Sequence, residues 1–290
     1  MIVVNLKGGL GNQMFQYAFG RALSIRNSDE VLLDTSGLSR ANEVGDIYRP
    51  FTLSAFNIKA SIASAETAAR MKDPYGIFSK LWRRFSFKVL RRQNIGWNPR
   101  AARMRGDIYL DGYWQSPKYF EPFELAIREE FTLAEPLSPA AAAIAERMQS
   151  SNSIMLHVRR GDYVSNKAVA AAYGPCTPAY YERAVAYLSQ HVQDPSWFIF
   201  SDDIAWVKEH LPLPGNVTYV SETPMTDPEE LVLMAACKHN IIANSTFSWW
   251  GAWLNPNPEK IVAAPTPWID AMPREYADLI PASWIQLPKY

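Results

Sequence analysis

The sequence predicts an α/β fold of two parallel-sheet domains, on three observations. Its second half alternates short apolar runs with stretches of helical spacing, its first residues read as strand, glycine turn and helix, and three of its apolar runs end in polar clusters. Strand ends in a parallel sheet share one edge, and ligands bind beyond that edge. With 290 residues, 48% of them hydrophobic, the chain is long enough for two modest domains and a substantial core. The proline- and alanine-rich stretch Glu135 to Ala140 marks the expected boundary, giving domains 1–140 and 141–290.

Composition narrows the partners. Lysine plus arginine (29) balances aspartate plus glutamate (29), so the chain lacks the basic excess of a dedicated nucleic-acid binder. Two distant cysteines, Cys176 and Cys237, make neither a disulfide framework nor a Cys-rich zinc site and are expected to be buried thiols in a reducing compartment. The chain opens directly on an apolar strand, without the features of a signal peptide, and no run reaches the ~20 apolar residues that span a bilayer. A cytoplasmic location is expected, with peripheral contact at the inner face of the membrane as a further expectation argued below.

Ile2 to Leu6 reads as the first strand. Lys7-Gly8-Gly9-Leu10-Gly11-Asn12-Gln13 is the turn, and Met14 to Leu23 the helix. No Gly-Lys-Ser/Thr follows the glycines, so this is not a phosphate P-loop. Either the turn brings the backbone close to a ligand, with the Asn12 and Gln13 amides facing it, or it serves only tight strand–helix packing. Glu30 to Asp34 reads as a second strand ending in an acid. Between Lys80 and Arg105 the chain is basic, without one Asp or Glu, and is interleaved with Leu81, Trp82, Phe85 and Phe87. That pattern suits docking on an anionic membrane or a lipid-borne substrate, or a solvated helix face. Ile108 to Trp114 reads as another strand, and Ser116-Pro117-Lys118 as a helix start.

The second half is more regular. Strands are expected at 153–158, 197–200, 217–220, 240–243 and 260–264; helices open at Thr177-Pro178, at Ile204, at Asp227-Pro228-Glu229-Glu230 and at Asn244-Ser245-Thr246. Three strand ends then carry His157/Arg159/Arg160, Ser201/Asp202/Asp203 and Asn244/Ser245/Thr246. Arginine forks match phosphate oxygens, and a helix start offers free N–H groups and the positive end of the helix dipole. A carboxylate beside them accepts from the N–H groups of a guanine or bridges a ribose. Taken alone, Arg159-Arg160-Gly161-Asp162 also fits a strand-end turn with an internal salt bridge; in this company it points to a nucleotide diphosphate.

Three long motifs also occur in order: Gly8-Gly9-Leu10-Gly11-Asn12-Gln13-Met14-Phe15-Gln16-Tyr17-Ala18, His157-Val158-Arg159-Arg160-Gly161-Asp162-Tyr163, and Phe200-Ser201-Asp202-Asp203 with Asn244-Ser245-Thr246-Phe247-Ser248-Trp249-Trp250-Gly251-Ala252-Trp253. Through them the chain resembles the α-1,2-fucosyltransferases, and its bacterial members in particular. The resemblance implies a GT-B-like fold, two Rossmann-like domains facing across a cleft, with an acceptor side in 1–140 and GDP-fucose bound by 141–290. It implies inverting transfer from GDP-β-L-fucose to a galactose 2-hydroxyl, with no metal and no cofactor, GDP-fucose being a co-substrate. The acceptor would be a galactose-terminated oligosaccharide or lipid-linked glycan.

On that reading Arg159 is catalytic, stabilising charge on the departing phosphate, and Asn12 is catalytic from the acceptor side, with Gln13 as a further substrate contact. His157, Arg159, Arg160, Asp202, Asn244, Ser245 and Thr246 are the donor-binding candidates. Arg160 either orients the loop or binds phosphate; His157 meets the base or ribose, or bonds backbone; Asp162 pairs with an arginine. Asp34 and Asp111 are candidates for a general base, and a strongly dissociative reaction needs none. A protein O-fucosyltransferase and a catalytically silent nucleotide-sugar-binding protein are the alternatives.

Overall fold

A computed structural model describes residues 1–38, 50–73, 89–90 and 95–290. The chain divides into two compact units, Met1–Ala134 with Ala277–Leu279, and Glu135–Tyr276 with Ile280–Tyr290. The division falls where the stretch Glu135 to Ala140 begins, and a short segment near the C-terminus returns to the first unit.

The first unit contains β1 (Ile2–Asn5), α1 (Leu10–Asn27), β2 (Val31–Asp34), β3 (Ser61–Ile62), α2 (Ala65–Lys72), β4 (Val89–Leu90), β5 (Ile108–Leu110) and α3 (Glu124–Glu130). Its sheet runs β3-β2-β1-β5-β4, parallel throughout. β1 is central and wholly buried, as suits a β-branched strand covered on both faces. α1 starts four residues earlier than apolar spacing predicts, because the Asn12 and Gln13 N–H groups both donate to Gly9 O and wind the glycine turn directly into the helix. α3 is tied to α1 through buried Glu130, which accepts from Arg21 Nε at 2.9 Å and from the Tyr17 hydroxyl. The strand expected through Trp114 ends at Leu110; beyond it the backbone bends, and Trp114 sits at φ 53°.

The second unit contains α4 (Pro139–Gln149), β6 (Asn152–Val158), α5 (Gly161–Ser165), α6 (Lys167–Tyr173), α7 (Pro178–His191), β7 (Pro195–Ser201), α8 (Ile204–His210), β8 (Asn216–Tyr219), α9 (Asp227–Ala236), β9 (His239–Ile241), α10 (Thr246–Leu254), β10 (Val262–Thr266) and β11 (Ile285–Pro288). Its sheet runs β11-β10-β9-β6-β7-β8, again all parallel. The predicted strand–helix alternation is present, and α5, α6 and β11 are elements that periodicity did not reveal. Leu156, Trp197, Ile199, Ile241, Tyr180 and Leu188 form part of the core between the sheet and α7. Trp249 and Trp250 are fully buried in α10 and belong to the core.

Helix starts differ in detail from expectation. Thr177 precedes α7 but makes no side-chain cap; its hydroxyl donates to Lys289 O at 2.9 Å and ties the helix to the end of β11. α9 does begin with a capping box, one residue earlier than expected, between Thr226 and Glu229. Cys176 and Cys237 are free and buried, and burial raises the pKa of both thiols. No helix among the described residues is long and apolar enough to cross a membrane. In the basic segment, Lys80, Arg83, Arg84, Lys88, Arg91 and Arg92 lie outside the described residues, as does the side chain of Asp162.

Candidate functional site

β6 lies between β7 and β9, with His157 level with Phe200 and Val158 with Ser201. The three polar strand ends are therefore neighbours on one edge. Arg159 Nη1 meets Asp202 Oδ2 at 2.8 Å, and Arg160 N–H donates to Asp202 Oδ1 at 2.8 Å. Gly161 makes this possible: a Cβ there would stand 2.6 Å from Asp202 Oδ2. Tyr163 supports the same loop, its ring 5.9 Å from the Arg159 guanidinium carbon and its hydroxyl donating to Asn244 O at 3.0 Å.

Arg160 is turned onto α8. Its Nε donates to Asp203 Oδ2 at 3.0 Å, and its guanidinium lies 4.0 Å from the centre of the Trp206 ring. Asp203 also caps α8 by accepting from Trp206 N, and the bond from Arg160 followed by this one holds its carboxyl below the usual range. Arg160 thus fits the loop-orienting alternative better than the phosphate-binding one. All four carboxylate oxygens of Asp202 and Asp203 already accept a bond or ion pair from within the edge.

A third acid, expected from sequence only as part of a helix start, stands beside them. Glu230 on α9 accepts from Ser221 Oγ at 2.8 Å through Oε1, and Ser221 Oγ accepts from Ser201 N at 3.1 Å, which joins Glu230 to the end of β7. Burial raises its pKa, with the Asp227 and Asp202 charges adding to the effect against the Ser221 bond. Its Oε2 has no hydrogen bond among the described residues. No local pattern marks Glu230, which sits one residue past the capping-box glutamate; only the tertiary bridge through Ser221 reveals it.

His157 is 5% exposed, and its Nδ1 has no hydrogen-bond partner among the described residues. Burial lowers its pKa to about 4, the Asp202 charge opposing and Arg159 reinforcing, so the ring is neutral near pH 7. Phe247 packs edge-on against it at 6.2 Å. Ser245 is the N-cap of α10, its hydroxyl accepting from Phe247 N at 3.3 Å, and Thr246 is the first helical residue; both are half-buried. Asn244 has a different task from the one expected. Its buried amide donates to Tyr173 O, Gly174 O and Trp268 O at 3.2, 2.9 and 3.1 Å, clamping the end of α6. Among the described residues, no group of three His, Cys, Asp or Glu side chains is arranged to hold a metal ion.

In the first unit, Gln13 is fully buried and its amide is engaged by the chain itself. Nε2 donates to Gly8 O and Pro50 O at 3.0 and 2.9 Å, and Oε1 accepts from Thr52 N at 3.3 Å. That geometry makes it a brace for the glycine turn and leaves no group for a substrate. Asn12 is half-buried, its Oδ1 accepting from Gln115 Nε2 at 2.7 Å. Asp34 is 4% exposed; burial raises its pKa, but the bonds from the Tyr109 hydroxyl (2.6 Å) and Ser36 outweigh this and leave it lowered. A sealed, acid-shifted carboxylate is a poor general base. Asp111 accepts from Lys7 Nζ at 2.9 Å and Asn5 Nδ2 at 3.1 Å and is partly exposed.

The pattern of glycosyl transferase family 11 matches residues 1–287. Alpha-1,2-colitosyltransferase of Escherichia coli is 31% identical over 301 residues, spanning 100% of this chain and 99% of its own length. Galactoside 2-alpha-L-fucosyltransferase Sec1 of Mus musculus is 26% identical over 267 residues, spanning 88% of this chain and 64% of its own. The crystal structure of fucosyltransferase NodZ from Bradyrhizobium superposes with a TM-score of 0.51 at 15% identity, covering 88% of this chain and 93% of that one, a likeness of fold. The fold is GT-B-like α/β, and the chain belongs to glycosyl transferase family 11.

Proposed function

We propose that this chain transfers L-fucose from GDP-β-L-fucose, with inversion, to the 2-hydroxyl of a terminal β-galactose on a glycan. The observation that carries the proposal is the edge of the second sheet, where Arg159 is held by Asp202 beside the unpartnered nitrogen of buried His157 and the start of α10. As the bond from the sugar's anomeric carbon to the phosphate oxygen breaks, the sugar gains positive charge and the β-phosphate of departing GDP gains negative charge. Donors fixed in advance on that phosphate lower the barrier. Arg159 supplies a charged fork; the start of α10 supplies the positive end of a helix.

The base contact is assigned to Glu230. Its Oε2 has no hydrogen bond among the described residues, whereas Asp202 and Asp203 are already engaged, and the N1–H and N2–H₂ of guanine are the donors a carboxylate accepts. Such donors also relieve a carboxylate whose ionised form is disfavoured by burial. His157, neutral and unpaired at Nδ1, takes a second nucleotide contact.

A second reading exchanges the sugar. The Escherichia coli relative is named for colitose, which lacks the 3-hydroxyl that fucose carries. Both readings are tested by offering the purified chain radiolabelled GDP-fucose and GDP-colitose in parallel, against a panel of β-galactosides. Fucose transfer at the higher kcat/KM supports the proposal, a preference for colitose replaces the donor, and transfer of neither sugar refutes both.

A further inference from the structure

We infer that the ion pair between Lys289 and Asp270 positions Arg159, acting on it through Tyr173 and Tyr163. The inference rests on the reading above, in which Arg159 meets the departing phosphate. Lys289 is the residue after β11, on the same edge of the second sheet as the arginines but separated from β6 by β10 and β9. Its side chain is wholly buried. Lysine is rarely sealed in this way unless paired, because its ammonium loses hydration. Here Nζ meets Asp270 Oδ1 at 2.5 Å and donates to Tyr173 O at 2.8 Å. The Lys289 backbone donates to Thr266 O at 2.9 Å and accepts from the Thr177 hydroxyl at 2.9 Å. None of these partners is a donor-binding candidate, so Lys289 is a positioning residue and not a catalytic one.

What the pair holds is the turn that ends α6. Gly174 sits at φ 61°, and a Cβ there would collide with Asp270 Oδ2 and with the Tyr290 hydroxyl, which donates to that same oxygen. The acid of the pair therefore lies directly on the turn. Ala271 N donates to Ala172 O at 3.1 Å, which ties the segment bearing Asp270 to α6 a second time. Tyr173 O accepts from Lys289 Nζ and also from Asn244 Nδ2, so its two lone pairs are filled from the ends of β11 and β9.

From that turn the contacts run back to the arginine. The Tyr173 ring lies 5.2 Å from the Tyr163 ring, and the Tyr163 ring lies 5.9 Å from the Arg159 guanidinium carbon. Tyr163 is 9% exposed, and its hydroxyl is engaged by Asn244 O, so its ring has one fixed setting. α5 and α6 are five and seven residues long, too short to persist without tertiary ties. A buried ion pair adds little net stability over apolar groups of the same volume. What it supplies here is direction, an ammonium fixed on one carbonyl. Asp202 holds the Arg159 fork from β7, and the Lys289 relay holds the loop behind it from β11.

The test is a double variant, Lys289→Met with Asp270→Asn, which exchanges the pair for neutral groups of similar size. Its melting temperature should stay near that of wild type. Its kcat should nonetheless fall about 10-fold, with the donor KM within about 3-fold, because small misplacements of a reacting group are costly in rate. Lys289→Met alone leaves an acid that is 29% exposed and reached by water, and it should show the same kinetics if the double variant does not fold. Placed in an Arg159→Lys background, the two changes should lower kcat by less than about 2-fold more, since the group they aim is already lost. Hydrogen exchange in α6 should quicken about 10-fold, with β6 and β7 unchanged. A folded variant with wild-type kcat, or a loss that multiplies in full with that of Arg159→Lys, overturns the inference. Unchanged exchange in α6 overturns the holding role by itself. If the wild type transfers no sugar, the reaction reading fails and the kinetic role with it, while exchange still decides whether the pair holds α6.

Discussion

Arg159 Nη1 lies 2.8 Å from Asp202 Oδ2 across two paired strands, and each side chain is about one-quarter exposed. The pair is thus fixed by the fold yet open to an anion. A guanidinium held this way is aimed before the reaction starts and reorganises little as charge develops on a phosphate. Arg159→Lys keeps the charge and loses the fork. It should lower kcat by ~100-fold while raising the donor KM only several-fold, on the scale of other lost oxyanion donors. A variant with near-normal kcat and a greatly raised donor KM would show that Arg159 only binds.

His157 gives the chain an acid-sensitive term. Its pKa is about 4 in the folded state against an ordinary 6.5, the dominant cause being burial. Between those values the unfolded chain takes up a proton that the folded chain refuses, so stability falls as pH drops from about 6.5 towards about 4. The contribution at pH 5 relative to pH 7 is about 2 kcal/mol against folding. Denaturant unfolding of His157→Gln beside wild type should show the variant losing less stability over that interval. Parallel losses in the two proteins would place the acid sensitivity elsewhere.

Asn244 makes the prediction that separates structure from substrate contact. Its amide shares two N–H donors among three carbonyl oxygens, so Asn244→Ala should cost about 2 kcal/mol of stability, read as a lower melting temperature. Saturating GDP should recover part of that loss by mass action, because the proposed nucleotide contacts lie on other residues. Loss of GDP binding with an unchanged melting temperature would return Asn244 to the donor contacts.

Metal removal should leave transfer intact, since the positive charge for the leaving phosphate is assigned to Arg159 and the start of α10. Assays after EDTA treatment, with and without added Mg²⁺ or Mn²⁺, check this. Activity abolished by the chelator and restored by either ion contradicts it.

The edge of the second sheet was legible in sequence because apolar strands of a parallel sheet are short and end in punctuation, so His157, Arg159, Asp202 and Ser245 could be placed on one edge from their order alone. What each polar group does there was not legible. Gln13 and Asn244 are amides at a helix start and a strand end, where ligand contact is expected, but their partners include carbonyls 37 and 70 residues away in the chain, which no local pattern encodes. Glu230 was missed for the same reason, since Ser221 joins it to β7. The strand expected through Trp114 failed because alternation cannot anticipate a tryptophan forced to φ 53° by packing over Gly112. Asp34 and Asp111 looked alike as acids at strand ends, and burial and partners, the Tyr109 hydroxyl for one and Lys7 for the other, separate them.

The most direct test of the proposed reaction is the linkage of its product. The purified chain is incubated with GDP-β-L-fucose and a β-galactoside acceptor, and the product is examined by two-dimensional NMR. The account predicts a new α-anomeric fucose proton with a through-space contact and a three-bond carbon correlation to position 2 of galactose, at a rate that Arg159→Lys lowers by ~100-fold. A β-linked fucose, a linkage to another galactose position, or hydrolysis of the donor without transfer would contradict it.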